Sequence, residues 1–306
     1  MIEKMGAVFC LHLFCIMEGK MKKIWWIVLL LSLVLGFSYF YGQKDHSFKS
    51  VTDQEQPQKE NVTKSSVPTV FIHGYGGTRF SFGGMIRRFS QQTVGVTSIR
   101  LTVQEDGTIE QSGVFEKENN PLIQVLFEDN KNNEWNQAKW IKNVLVYLKE
   151  KYGVEKVNLV GHSMGGVSSL RYLLTYSNQE NLPIVSKFVS IGAPFNNFIE
   201  DSRSTEMIDK EGVLSNQESE RYQEFTQKMA QVSIATKILN IGGEIDKQTH
   251  GDGTVPIGSV AGIGKLLRTH GVNYQFQYVK GKAANHSGLH ENEEVDNMVV
   301  RFLWGK

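Results

Sequence analysis

The chain has 306 residues, of which 40% are hydrophobic, and its 33 lysine and arginine residues nearly balance its 32 aspartate and glutamate residues. This composition is typical of a globular protein. A formal net charge of +1 provides no overall basic field that would attract a nucleic acid, so we expect no nucleic acid partner.

An apolar segment near the N-terminus predicts attachment to a membrane. Residues 24–41, IWWIVLLLSLVLGFSYFY, form an uncharged run of 18 residues, just long enough to cross a bilayer as a helix. Lysines are more numerous in the residues before the run than in the residues that closely follow it. The positive-inside rule therefore predicts a cytoplasmic N-terminus and an extracellular remainder. The sequence GFS at 36–38 is a poor signal-peptidase site. We therefore expect a single-pass signal-anchor in the cell membrane, with secretion after cleavage as the alternative.

The segments on either side of this run are predicted to have different roles. Residues 1–23 form a cytoplasmic leader. Because Met21 is followed by two lysines, we hypothesise that the first 20 residues come from an upstream misreading of the start codon. Cys10 and Cys15 both lie in this leader, which leaves no disulfide or thiol chemistry beyond the membrane. Residues 42–67 are polar with few large apolar side chains, and predict a linker.

Beyond the linker, residues 68–306 predict one domain in which apolar runs alternate with helical patterns. Seven runs have strand character: 69–73, 94–103, 121–127, 156–160, 184–192, 237–243 and 274–279. This alternation favours an α/β fold with a mostly parallel central sheet and helices on both faces. Residues 104–120 contain a Glu-Asp-Gly turn and predict a hairpin that extends the second strand as an edge ribbon.

Two of the helical patterns carry specific predictions. In residues 134–151, apolar side chains recur three and four apart and predict one face packed in the core. These side chains are Trp135, Ala138, Ile141, Val144, Leu145 and Leu148. Residues 196–235, with a helical pattern at 217–232, predict either a small helical cap over the carboxyl edge of the sheet or an ordinary crossover. Within this segment, three apolar residues recur at helical spacing: Tyr222, Phe225 and Met229. We expect them either to line an apolar acyl pocket or to belong to the ordinary core.

The sequence VNLVGHSMGG at 157–166 contains the chemical signature of the chain. An apolar run leads into the pattern G-x-S-x-G around Ser163, which is typical of a strand that turns sharply into a helix and exposes a nucleophilic serine. Such a serine needs a base, a carboxylate that orients the base, and two donors for the oxyanion. In this architecture the acid and then the base follow the serine, each after a later strand.

Two candidates are present for the acid and two for the base. Asp246 and Asp252 follow the sixth apolar run, and His286 and His290 follow the seventh. Asp246 lies closer to its strand, whereas a glycine-flanked loop around Asp252 also suits an Asx turn, so the residues alone leave both open. His290, four residues after His286 and beside Glu291, could form a metal-binding pair with it on one helical face, but no third ligand is evident. We expect His290 in the first turn of the C-terminal helix and no bound metal.

The sequence VFIHGYGG at 70–77 ends the first strand in a glycine-rich loop whose N–H groups are able to face the serine. The expected oxyanion donors are the amides of Tyr75 and Met164. The glycines do not follow the dinucleotide pattern G-x-G-x-x-G, so no cofactor is expected. His73 and His162 flank the glycines, and we expect them to fix loop geometry through hydrogen bonds rather than to take part in the reaction.

Five motifs in chain order resemble the α/β-hydrolase superfamily, in particular the predicted membrane-bound cell-surface hydrolases of Gram-positive bacteria, which are relatives of bacterial lipases. They are HGYGG, GHSMGG, IGAPFN, GDGTVP and NHSGLHEN, and the resemblance covers most of residues 68–306. It implies the α/β-hydrolase fold. Position by position, it implies a nucleophile at Ser163, an acid at Asp252, a base at His286 and oxyanion amides at Tyr75 and Met164.

The expected activity is hydrolysis of a carboxylic ester, of a small molecule or a lipid, through an acyl-enzyme. Two alternatives remain open. One is a binding module that keeps the hydrolase fold without the reaction. The other is an acyltransferase that passes the acyl group to an alcohol in place of water.

Overall fold

The computed structural model describes residues 62–305. The predicted leader, the apolar run 24–41 and most of the predicted linker lie outside these described residues. Within them, no helix is both long and apolar enough to span a membrane.

The last residues of the predicted linker, 62–67, contact the domain. The amide of Thr63 donates to the carbonyl of Trp304 at 2.7 Å. The amide of Ser65 donates to the side-chain oxygen of Asn120 at 2.9 Å, just before a strand begins. The chain therefore reaches the domain at the edge where the parallel strands start.

Eight strands form one sheet. They are β1 Thr69–Ile72, β2 Val96–Val103, β3 Ile109–Ser112, β4 Pro121–Phe127, β5 Lys156–His162, β6 Ile184–Ile191, β7 Lys237–Glu244 and β8 Asn273–Lys280. Their order across the sheet is β3-β2-β4-β1-β5-β6-β7-β8. Only β3 runs antiparallel to its neighbour. The predicted mostly parallel sheet is confirmed, and β3 is the ribbon expected within residues 104–120.

Helices cover both faces of the sheet. They are α1 Arg79–Gln91, α2 Glu134–Tyr152, α3 Met164–Thr175, α4 Thr205–Glu211, α5 Glu220–Lys228, α6 Ile257–Ala261, α7 Ile263–Thr269 and α8 Glu293–Trp304. Side chains of α1 and α8 form one buried cluster with one face of the sheet, and those of α2, α3, α5 and α7 form another with the opposite face. Because successive strand residues point to opposite faces, Phe71 joins the first cluster and Ile72 the second. The α/β class is confirmed.

The predicted helix 134–151 is α2, but one residue of its predicted core face is exposed. Asn133 caps its start by accepting from the amides of Trp135 and Asn136, and Gly153 ends it in the left-handed conformation. Trp135 is 54% exposed, whereas the other five predicted core residues are buried. It lies in the first turn, ahead of the residues that face the sheet, and its ring packs 4.3 Å from the guanidinium of Arg171.

The three apolar side chains singled out in the segment 196–235 are packed in the core. It contains α4, α5 and two short 3-10 turns, and its three singled-out apolar residues belong to the same buried cluster as α2 and α3. Tyr222 is 2% exposed, and Phe225 and Met229 are fully buried. Ordinary core packing, one of the two expectations, is therefore correct for these side chains, because α5 packs beside α3.

A buried carboxylate joins these helices. Glu134, at the start of α2, is 2% exposed. It accepts from Arg171 of α3 at 2.5 Å and from the Nε of Arg221 of α5 at 2.9 Å. Arg171 is itself buried and also pairs with Glu224 at 2.7 Å. Because a buried charge that loses its partner is strongly destabilising, α2, α3 and α5 depend on Glu134.

Replacing Glu134 with alanine should lower the free energy of unfolding by about 3 kcal/mol, because it removes a partner from a buried guanidinium. Urea unfolding measures this change. The control is Glu206→Ala, which removes an exposed pair with Lys210 within α4 and should cost less than about 1 kcal/mol. Equal losses in the two variants would contradict the role assigned to the buried ion pair.

Candidate active site

Ser163 lies at the turn between β5 and α3 with backbone angles φ 54° and ψ −126°. A non-glycine residue at positive φ is uncommon and costs free energy, so the surrounding structure must hold it. The flanking glycines permit this close packing. A Cβ on Gly161 would lie 2.6 Å from the carbonyl oxygen of Gly165, and a Cβ on Gly165 would lie 2.3 Å from that of Ile72. The G-x-S-x-G spacing thus allows the sharp turn.

The structure brings Ser163, His286 and Asp252 together. The Oγ of Ser163 lies 2.9 Å from the Nε2 of His286, and the Nδ1 of His286 lies 2.7 Å from the Oδ2 of Asp252. The other carboxylate oxygen accepts from the amides of Thr254 at 2.9 Å and Val255 at 2.7 Å. These bonds aim the buried carboxylate at the imidazole. A proton on Nδ1 then leaves Nε2 free to accept from the serine hydroxyl.

Asp246, the other candidate acid, lies apart from His286. Its side chain is exposed and accepts from the amide of Gln248 at 3.0 Å and from the amide and hydroxyl of Thr249 at 2.7 Å and 2.6 Å. The hydroxyl bond from Thr249 is the largest cause that lowers the pKa of Asp246. Asp246 therefore closes an Asx turn, and Asp252 is the carboxylate that lies beside the imidazole.

The glycine-rich loop after β1 passes directly beside Ser163. A Cβ on Gly74 would lie 2.8 Å from the Cβ of Ser163, so only glycine fits there. The loop is fastened to the segment after β4, because the amide of Gly76 donates to the carbonyl of Asn130 at 2.7 Å and the side chain of Asn130 donates to the carbonyl of Gly77 at 2.9 Å.

Two backbone amides next to Ser163 are available to a ligand. Among residues 62–305, neither the amide of Tyr75 nor that of Met164 has a hydrogen-bond acceptor. Met164 is the first residue of α3, where the N–H groups have no partner inside the helix and the helix dipole favours negative charge. These are the two amides expected from the sequence to bind an oxyanion.

His73 fixes the loop, as expected. Its Nε2 accepts from the amide of Phe127 at 3.0 Å, so its Nδ1 is protonated and donates to the carbonyl of Gly74 at 2.8 Å. Burial lowers the pKa of His73, which keeps this neutral form in place.

His162 forms a hydrogen bond with the backbone of His286, the candidate base. It is 6% exposed, and its Nε2 lies 2.9 Å from the carbonyl oxygen of His286, to which it donates. Burial, followed by the nearby imidazole of His286, lowers the pKa of His162 well below its usual value. A neutral imidazole therefore holds the backbone of His286.

His290 contacts His162 but does not lie where the sequence predicted. Its ring stands edge-on to that of His162 with centroids 4.8 Å apart. It belongs to a 3-10 turn, Leu289–Glu291, and not to the C-terminal helix, because Asn292 caps the start of α8 by accepting from the amide of Glu294 at 2.8 Å. No cluster of three metal-ligating side chains occurs among the described residues.

Arg88 of α1 fastens this turn, and sequence reasoning missed it. Its guanidinium donates to the carboxylates of Asp296 and Glu291 and to the carbonyl of His290 at 3.0 Å. Asp296 is 2% exposed. About 200 positions separate Arg88 from these partners, so no local sequence pattern identifies the pairing. The one available signal was a basic side chain on the core side of α1, where a charge needs a partner.

Similar proteins have the same fold. A family model described as "Alpha/beta hydrolase of unknown function (DUF915)" matches residues 56–306. The crystal structure of the lin2722 gene product of Listeria innocua is 27% identical, with 78% of this chain and 93% of that chain covered and a TM-score of 0.67. A "putative cell surface hydrolase" from Lactobacillus plantarum is 24% identical, with 78% and 89% covered and a TM-score of 0.60. No curated protein matches the sequence.

We predict that the protein loses stability in acid because its buried imidazoles are neutral. Burial lowers the pKa of His73, His162 and His290 in the folded state. Below about pH 6.5 the unfolded chain takes up protons that the folded protein does not, so the free energy of unfolding falls with pH by up to about 1.4 kcal/mol per unit for each imidazole.

Urea unfolding between pH 8 and pH 5 measures this effect. The variant His162→Gln lacks one of the three imidazoles, so its stability should fall less steeply with pH than that of the unaltered protein. Parallel curves for the two proteins would contradict the assignment of a neutral His162.

Proposed function

The chain belongs to this family of α/β hydrolases, and we propose that it is a serine hydrolase that cleaves carboxylic esters through an acyl-enzyme. One observation carries the proposal. Hydrogen bonds run from Ser163 through His286 to Asp252, at 2.9 Å and 2.7 Å, beside two backbone amides that have no acceptor among the described residues. A nucleophile, a base, an orienting acid and an oxyanion site are the parts that acyl transfer requires.

In the first half of the proposed reaction, the Oγ of Ser163 attacks the ester carbonyl while the Nε2 of His286 takes the hydroxyl proton. The carbonyl oxygen becomes an oxyanion that accepts from the amides of Tyr75 and Met164. Asp252 stabilises the imidazolium and holds its orientation. His286 then gives the proton to the leaving alcohol as the carbon–oxygen bond breaks, which leaves the acyl group on Ser163.

In the second half, water attacks the acyl-enzyme while His286 takes a proton from it. The oxyanion forms again at the same two amides, and collapse returns the proton to Ser163 and releases the carboxylic acid. No cofactor takes part in this proposed sequence. The preorganised amides carry a large share of the rate, since loss of one such donor costs on the order of 10² to 10³ in turnover.

We also propose that the apolar run 24–41 anchors the protein in the cell membrane with the hydrolase domain outside. The support is the length of that run and the lysines that precede it. The cell-surface description of the Lactobacillus plantarum neighbour is consistent with this location. The proposed substrate is a small-molecule or lipid ester that reaches the outer face of the membrane.

The serine is tested with a fluorophosphonate probe and p-nitrophenyl esters of increasing acyl length. The full chain should be labelled and should hydrolyse at least one ester, and both signals should vanish in Ser163→Ala, because that variant lacks the nucleophile. Circular dichroism of both proteins controls for folding. A folded protein that is neither labelled nor active would overturn the proposal and favour a binding module.

The acid is tested with a matched pair of variants. Asp252→Asn should lower kcat on the order of 10⁴-fold, because an amide no longer holds the imidazole in the productive tautomer. Asp246→Asn removes the same charge from an exposed turn and should retain most of the activity. The reverse order of losses would reassign the acid to Asp246.

A further inference from the structure

A basic cleft lies near the amino ends of β6, β7 and β8, at the edge of the sheet opposite Ser163. Its volume is about 290 Å³. Three cationic and three amide side chains line it: Lys187, Lys237, Arg301, Asn273, Gln275 and Gln277. Among the described residues that line it, none is an aspartate or a glutamate. The cleft is therefore rich in positive charge and in hydrogen-bond donors.

The register of the sheet aligns two of the lysines. Lys187 of β6 pairs with Lys237 of β7, and Lys237 pairs with Asn273 of β8. Residues paired across parallel strands point to the same face, so the two ammonium groups are neighbours that repel each other. Burial, and after it the charge of Lys237, lowers the pKa of Lys187. An anion between the two amines would relieve this repulsion.

Lys187 is held in place before any ligand arrives. It is partly buried, and its Nζ donates to the carbonyls of Phe302 at 3.0 Å and Leu303 at 2.6 Å, at the end of α8. Lys237 is exposed, and no carboxylate within residues 62–305 pairs with its ammonium. A fixed cation costs less conformational entropy when a ligand binds, and an unpaired one is free to follow the ligand.

Ordinary solvated lysines do not account for this arrangement. Lysines protect exposed edge strands from pairing with other chains, but β6 and β7 lie inside the sheet and β8 is the edge. Side-by-side positions also cost electrostatic free energy that separated surface lysines avoid. Lys187 has a structural role at the end of α8, so the feature that a ligand of opposite charge would explain is the second lysine, Lys237, placed beside it at the same level of the sheet.

We propose that this cleft binds a phosphate group, either as free phosphate or as the head group of an anionic lipid. Two neighbouring ammonium groups match its charge, and three side-chain amides are able to donate to its oxygens. At about 30 Å³ for each water, the cleft has room for roughly ten waters, and so for a phosphate with a substituent. Met298 and Phe302 provide an apolar wall for that substituent.

The predicted membrane segment makes a lipid one available source of the phosphate, wherever the cleft lies relative to the bilayer. The chain reaches the domain through the bond from Thr63 to Trp304, at the end of the same helix that forms one wall of the cleft. The predicted membrane segment precedes this point in the sequence. Cationic side chains near an anionic bilayer surface gain on the order of 1 kcal/mol each.

Isothermal titration calorimetry on the full chain in nonionic detergent tests the site with three probes: inorganic phosphate, dihexanoylphosphatidylglycerol and dihexanoylphosphatidylcholine. We expect saturable binding of phosphate or of the anionic lipid, weakened about tenfold or more in Lys237→Glu because a charge-assisted bond is lost and a repulsive charge gained. Lys139→Glu, the same charge change on the exposed side of α2, is the control and should bind as the unaltered protein does.

The three probes separate the two sources of phosphate. Tighter binding of the anionic lipid than of inorganic phosphate would assign the site to a lipid head group, and comparable binding would assign it to free phosphate. Binding that is equal in Lys237→Glu and the control, binding of the zwitterionic lipid that equals that of the anionic lipid, or no binding at all would overturn the proposal. Circular dichroism of Lys237→Glu verifies that the variant is folded, whether or not the protein hydrolyses esters.

Discussion

At the turn between β5 and α3 the backbone of the helix comes so close to β1 that Gly165 has no room for a side chain. Next to this contact Ser163 has a positive φ, and its Cβ leaves no room for a side chain on Gly74 of the neighbouring loop. A strained residue persists only where the surrounding structure holds it. Here the parallel strands provide that support, because the amide of Ser163 donates to the carbonyl of Ile191 at 2.8 Å. The position of the serine at the start of α3 follows from this packing.

The candidate base depends on longer-range contacts. The backbone of His286 is held by the neutral ring of His162, which stays neutral because burial penalises its charged form. The turn that follows is held by Arg88, whose partners lie on two other elements. A buried neutral donor and a partly buried ion pair thus fix the same short segment from two sides. This leaves the imidazole little freedom to leave the serine.

The strands, their parallel arrangement and Ser163 could be predicted because each rests on a local signal, an apolar run or a glycine spacing. Position after a strand left two candidates each for the acid and the base, and only the resemblance to a known family singled out Asp252 and His286. Periodicity alone could not separate core from pocket for Phe225, since both surroundings are apolar and only the packing of α5 on α3 decides. The turn that contains His290 had a readable signal in the sequence Asn292-Glu-Glu, an N-cap followed by acidic residues. Arg88 had none.

The parallel sheet also separates the two groups of functional side chains that we propose. Ile191 of β6 pairs with His162 of β5 on one side and with Ile241 of β7 on the other. Lys237 lies four residues before Ile241 on β7, towards the amino end of the strand. With two strand spacings added, the backbones of Lys237 and His162 are about 16 Å apart. That separation is too large for one small ligand to contact both Lys237 and the loop that contains Ser163. The two edges of the sheet therefore present separate sites, one at the carboxyl ends of the strands and one at their amino ends.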